Sequence, residues 1–260
     1  MTVIALTDAE GPFFDRRETV FPDATAAQWS EADQRDPSSV RGGDWWLRFR
    51  CFAVTLRGGR VILVDTGIGS AASPARSWAP VPGQLPAELA AAGIEPAAVD
   101  TVVLTHMHTD HIGWSVDEAG AVFFPNARYL LQQEEIDAID ARAPGIADWL
   151  LRPLRRSGQL SAVDGRETLS DGLTVIPTPG HTPGHQSVLL EARDERLLIT
   201  GDLLVHVLQL IDPNLSYGHE DDPALARTSR MELLRDLAAK GGAVLATPHL
   251  GDPFVAFAKG

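Results

Sequence analysis

Three histidines and an aspartate stand within six residues, His106-Met107-His108-Thr109-Asp110-His111, directly after the apolar run Val102-Val103-Leu104. No other stretch limits so sharply what the chain can become. A buried strand that feeds such a cluster puts ionisable side chains at a strand end, where a rigid sheet can aim them. If the chain leaves the strand extended, His106 and His108 point to the same side, because side chains alternate with a period of two. Both imidazoles can then reach one metal ion while Met107 packs the other way. Asp110 and His111 follow after a turn and come within reach of a second ion. Neutral imidazole nitrogen together with carboxylate oxygen suits zinc.

Six residues cannot fill two coordination shells, so further donors are expected at other strand ends. His181 lies in the glycine- and proline-rich loop Thr178–His185. Asp202 follows the strand pattern Leu197–Thr200 through Gly201, and His249 follows Ala243–Thr247. A single cysteine, Cys51, excludes an internal disulfide and any cysteine-rich zinc site.

With 22 Lys and Arg against 35 Asp and Glu, the 260-residue chain carries a formal charge of −13. That balance argues against nucleic acid or an anionic membrane as partner, since both attract clustered cations. The apolar runs are too short to span a bilayer, and the first residues lack the basic start and long apolar stretch of a signal peptide. A cytoplasmic location is expected.

The pattern along the chain is that of an α/β layered fold in one domain. Residues 1–44 read as an irregular lead-in with one helix near Ala24–Ala32. WWLRFRCFAVTL and VILVD, joined by Gly58-Gly59, form a hairpin signal. Helices are expected at Leu85–Ala92, Gln132–Ala141, Ile146–Ser157 and Pro223–Lys240. In the last of these Arg227, Met231, Leu234 and Ala238 share a stripe. Strands are expected at Ala127–Leu131, Leu173–Ile176, Ser187–Glu191, Leu197–Thr200 and Ala243–Thr247.

The motifs LVDTGIG at 63–69, THMHTDHIG at 105–113, TPGHTPGHQS at 178–187, TGD at 200–202 and PHLG at 248–251, in this order, resemble the metallo-β-lactamase superfamily. Within it they resemble the branch of N-acyl-homoserine-lactone lactonases and methyl-parathion-hydrolase-like enzymes. The resemblance runs from Phe49 to His249, about four-fifths of the chain. It implies an αββα sandwich of two similar halves with two divalent ions, zinc foremost, at the sheet edge. By motif position His106, His108 and His181 hold one ion, Asp110, His111 and His249 the other, and Asp202 bridges them. His185 then falls to a supporting role, and Asp65 either orients the ligand loops or caps a turn.

The implied reaction is attack of a metal-bridging hydroxide on a small-molecule lactone or ester, with Asp110 carrying the proton to the leaving group. Many lactonases of this branch place a tyrosine three residues after the bridging aspartate. That position is Val205 here, so either the metals alone stabilise the oxyanion or His206 or Tyr217 substitutes, although His206, one histidine in an apolar stretch, reads first as a packed core residue. His219, in the acidic stretch GHEDD, reads as solvated. Trp45, Trp46, Trp78, Trp114 and Trp149 are entrance or core residues, and the family likeness suggests a homodimer. A glyoxalase-II-like thioesterase, a phosphotriesterase or aryl esterase, and a metal-binding sensor share the same ligand pattern.

Overall fold

Two mixed sheets carry the chain in a computed structural model that describes residues 1–193 and 195–257. The first holds β1 (Thr2–Pro12), β2 (Val40–Arg41), β3 (Asp44–Thr55), β4 (Val61–Val64), β5 (Val99–Val103), β6 (Arg128–Gln132) and β7 (Leu160–Val163). Its order is β1-β3-β4-β5-β6-β7, with β2 beside β3. The second holds β8 (Glu167–Ser170), β9 (Leu173–Pro177), β10 (Gln186–Ala192), β11 (Glu195–Ile199), β12 (Ala243–Ala246) and β13 (Phe254–Phe257), in reverse chain order across the sheet. The longer helices are α1 (Ala26–Arg35), α2 (Leu85–Ala91), α3 (Gln133–Arg142) and α4 (Pro223–Ala239). No helix among the described residues is long and apolar enough to cross a membrane.

By internal packing the chain falls into two compact units. The first is Met1–Glu10 with Phe49–Asp164, and the second is Gly11–Arg48 with the chain from Gly165 onward.

In the first unit β3 and β4 form the expected antiparallel hairpin, while β4, β5, β6 and β7 pair in parallel. Parallel strands covered on both faces need unbroken apolar sequence, and Val61-Ile62-Leu63-Val64 is buried throughout. Cys51, Leu63, Val102, Leu104, Tyr129 and Leu131 belong to one fully enclosed core. Burial pushes the Cys51 thiol pKa up, so it behaves as a small apolar group. Each polar cluster of this unit follows a strand of that core.

The start of the chain departs from its sequence reading, because Thr2–Pro12 is an eleven-residue strand. Its inward register includes Asp8, a carboxylate with no solvent exposure, which hides the apolar alternation. Asp8 Oδ2 accepts from Ile68 N at 2.6 Å, while Oδ1 accepts from Leu85 N at 2.7 Å and Trp114 Nε1 at 3.0 Å. Burial raises its pKa and these hydrogen bonds pull it back. A Cβ at Gly67 or at Gly83 would lie 2.2 Å from an Asp8 oxygen, so both loops can close on the carboxylate only as glycine.

In the second unit β8 to β11 run antiparallel, β11 and β12 run parallel, and β13 closes the sheet antiparallel. Helix α1 starts at Thr25, which forms a capping box with Gln28, so it runs later than composition suggests. Helix α4 is rotated from the expected stripe: Ala226, Arg230, Leu234 and Leu237 are buried, whereas Met231 is 40% exposed. A buried arginine in the inward register is what displaced the reading. The expected helix Ile146–Ser157 is present, with a π-helical stretch at Ala147–Leu151 running into Arg152–Ser157. The short strands β7, β8 and β13 have no sequence signal of comparable strength.

Replacing Asp8 with Ala leaves four N–H groups, those of Ile68, Gly69, Leu85 and the Trp114 ring, without their acceptor. The expected result in urea denaturation is a loss of about 2–4 kcal/mol, with Asp8→Asn intermediate.

Candidate metal centre

The first unit builds its share of the centre around Asp65. This residue follows β4 with φ of +61°, a left-handed conformation that aspartate tolerates better than most side chains. Its Oδ1 accepts from Thr105 N at 2.7 Å, and its Oδ2 accepts from Thr105 Oγ1 at 2.9 Å. The same Oδ2 lies 2.8 Å from His111 Nδ1. A carboxylate only accepts, so His111 carries its proton on Nδ1 and presents Nε2 as a lone pair. Asp65 therefore orients a candidate ligand as well as the strand end that precedes it.

The histidine segment is pinned at three further points, two through its backbone and one through the Thr109 side chain. Thr66 N donates to His111 O at 2.7 Å, Met107 N donates to Glu135 Oε1 at 2.7 Å, and Trp78 Nε1 donates to Thr109 Oγ1 at 3.0 Å. As expected from the alternation, His106 and His108 converge, with His106 Nε2 2.9 Å from His108 Nδ1. Met107 packs against the apolar core instead. Asp110 Oδ2 lies 3.5 Å from His111 Nε2. The first unit thus offers two donor pairs, His106 with His108 and Asp110 with His111.

The second unit centres on Asp202, in a short turn after β11. Its Oδ2 lies 3.2 Å from His181 Nε2 and its Oδ1 3.1 Å from His249 Nε2. One carboxylate therefore turns a different oxygen to each of two imidazoles. His249 Nδ1 donates to Arg48 O at 2.8 Å, which leaves Nε2 unprotonated in the neutral ring. His185 sits behind: its Nε2 accepts from Asp202 N at 2.9 Å, and its Nδ1 faces Thr178 Oγ1 and Thr178 O. It positions Asp202 and has no nitrogen left for a ligand bond. The loop holding His181 rests on α4, where a Cβ at Gly180 would meet Ala226 N at 2.0 Å.

These tautomers test whether the residues fit metal. In both units a lone pair on Nε2 faces a carboxylate oxygen: His111 toward Asp110, and His249 toward Asp202. Two buried acceptors turned on one another repel unless a cation lies between them. His106, His111, His181, Asp202 and His249 are all at most 7% exposed, so water offers little relief. The donor set, nitrogen and oxygen without sulfur, suits zinc and its neighbours in the first transition row.

Residues 49–249, which include every one of these donors, match the family profile of the Metallo-beta-lactamase superfamily. The chain belongs to that superfamily. A protein of Azorhizobium caulinodans named N-acyl homoserine lactonase AttM is 33% identical over 194 residues. That match covers 66% of this chain and 66% of the relative, so it spans just under two thirds of the relative's length. Among solved structures, a probable metal-dependent hydrolase from Staphylococcus aureus has a TM-score of 0.84 at 18% identity, covering 99% of this chain and 92% of that one. AidC, described as a dizinc quorum-quenching lactonase in complex with a product, has a TM-score of 0.79 at 23% identity, covering 96% and 88%. These similarities establish the superfamily's fold for the chain.

Against the superfamily pattern, the residues read as replacements for the missing tyrosine part ways. His206 is 2% exposed and enclosed by the rings of Phe21, Trp29 and Trp45, each centred 5.5 Å away. Its Nδ1 accepts from Leu208 N at 3.1 Å, and its Nε2 has no partner. Burial in this apolar box pushes its pKa down to about 3, so it stays neutral. That setting is a packing site, the reading its apolar stretch favours over the catalytic role also considered for His206. Tyr217 instead lies against the centre, its ring stacked on His181 at 6.1 Å with 10° between planes.

Sequence reading missed Arg230 altogether. Fully buried in α4, it donates to Leu203 O, Pro213 O and Leu215 O and pairs with Glu220 at 2.9 Å. It thereby ties the Asp202 turn to the segment that carries Tyr217. The available signal was a basic residue in the inward register of an otherwise clear helix. His219, read as solvated, pairs with Asp15 at 2.9 Å.

Two outcomes follow. Asp65→Ala frees the His111 ring, and chelator competition should show metal affinity lowered about 10- to 100-fold with the fold retained. For His206, the unfolded chain binds a proton below pH 6.5 that the folded chain refuses down to about pH 3. Stability contributed at this position is therefore lost as pH falls through that window. Denaturation of wild type and His206→Phe at pH 6 and pH 4 should diverge by about 1.4 kcal/mol per pH unit in favour of the variant.

Proposed function

We propose that the chain is a metal-dependent hydrolase that opens a lactone or a related small-molecule ester. The observation that carries the reading is Asp202, whose two oxygens face His181 and His249 separately. A carboxylate so flanked suits a ligand shared by two ions. In this reading His106, His108 and His181 hold one ion, Asp110, His111 and His249 the other, and Asp202 belongs to both. Two divalent ions, zinc foremost, would supply a water of lowered pKa and polarise the ester carbonyl.

The protein's own residues do the remainder. Asp110 keeps one carboxylate near His111 and is the group placed to take the proton of the attacking water and pass it to the departing alkoxide. Tyr217, ring-stacked on His181, is the side chain available to assist the carbonyl oxygen in place of the absent tyrosine. His185 and Arg230 hold Asp202 from behind. Relatives named N-acyl homoserine lactonase favour a lactone over the alternative esters.

The test is a panel of lactones, aryl esters, phosphotriesters, β-lactams and glutathione thioesters on metal-analysed protein. Lactone turnover should dominate and should vanish on chelation. Asp110→Asn should lower kcat about 10²- to 10⁴-fold. Turnover like wild type in a variant that retains its metal would remove Asp110 from the mechanism, and preference for thioesters would replace the substrate assignment.

A further inference from the structure

The segment that carries Tyr217 also carries His219, and beside His219 stand Phe13 and Phe14, rings that the hydrolytic chemistry leaves unused. His219 Nε2 lies 2.9 Å from Asp15 Oδ2, with both side chains a little over one-third exposed. Because the carboxylate only accepts, the proton sits on Nε2, and Nδ1 of the neutral ring is a lone pair. The imidazole is wedged edge-on among Phe13 at 5.7 Å, Phe14 at 5.5 Å and Tyr217 at 5.2 Å. Tyr217 in turn stacks on His181. A path of rings thus leads from a metal-ligand candidate out to Phe14, which is 59% exposed.

An exposed phenylalanine beside an oriented imidazole is costly as mere surface. Apolar area left in water gains nothing, and the hydrogen bond to Asp15 fixes a partly exposed side chain at an entropic cost. Both make sense as a wall that is covered when substrate is present. Flat ring edges favour an aromatic partner by stacking or edge contact. The Nδ1 lone pair adds one polar requirement, a hydrogen-bond donor carried next to that ring. Arg230, clamped on Leu215 O and Glu220, keeps the segment from drifting.

Resting on the hydrolase reading above, we propose that Phe14 and His219, oriented by Asp15, form a specificity subsite for an aromatic substituent that bears an N–H or O–H donor. The substituent lies away from the ester, so the subsite acts on binding and leaves the bond-breaking groups untouched.

Three substituted γ-butyrolactones test this on the metal-loaded protein: one with an α-benzamido group, its N-methylated counterpart, and one with an α-hexanoylamino group. Wild type should show the lowest KM for the benzamido compound. His219→Phe keeps a ring but removes the acceptor, and should erase the preference over the N-methyl compound, raising KM about tenfold with kcat held. Asp15→Ala should act in the same direction. Phe14→Ala should erase the preference for benzamido over hexanoylamino. Unchanged substrate ratios in folded, metal-loaded His219→Phe and Phe14→Ala would overturn the subsite while leaving the hydrolase reading intact. Failure of wild type to open any of the three lactones or a simple aryl ester would overturn both.

Discussion

The arrangement of the candidate ligands depends on how each imidazole is oriented, and for His111 and His249 that is set by the acceptor facing Nδ1. Asp65 takes the Nδ1 proton of His111, and the carbonyl of Arg48 takes that of His249. Both rings therefore present Nε2. Without these acceptors an imidazole is free to protonate on the wrong side or rotate away, and a metal site loosens even when every ligand is present. The strand ends hold these acceptors in place. Asp65 closes β4 and also grips the end of β5 through Thr105, so one side chain couples two neighbouring strands to the ligand that follows them.

Much of this was legible in the residues. The alternation that turns His106 and His108 together while Met107 goes to the core is set by strand geometry, and the pair does converge. Glycine punctuation located the hairpin at Gly58-Gly59 and the end of α2 at Gly93, because both need a positive φ. Polar groups satisfied from inside were not legible. Asp8 and Arg230 stand where pattern reading expects apolar side chains, and each looked like evidence against burial. Their partners are backbone groups distant in sequence, which leave no mark on local periodicity. β1 was lost through the first and the face of α4 misread through the second.

His206 shows the limit from the opposite side. Its position near Asp202 and its residue type made it a plausible catalytic group, and its apolar stretch favours a packed imidazole over a catalytic one without deciding between them. The difference lies in Phe21, Trp29 and Trp45, all far away in sequence, which desolvate the ring and hold it neutral. Tyr217 and His219, much nearer to His206 in sequence, are instead the rings that lead outward from His181.

The charge of the chain bears on the same arrangement. A formal −13 makes further buried anions expensive, yet Asp8, Asp65 and Asp202 are all buried. Asp8 and Asp65 are compensated by hydrogen-bond donors. Asp202 donates its own backbone N–H to His185 Nε2, and both of its oxygens turn toward imidazole nitrogens. A carboxylate flanked by two imidazoles in this way suits a cation. Stability and metal occupancy should therefore be linked through Asp202, because any ion bound by the folded chain alone shifts the folding equilibrium toward it. A site of this kind is held open by a fold stabilised elsewhere, in the apolar strands and in the enclosed pair of Arg230 and Glu220.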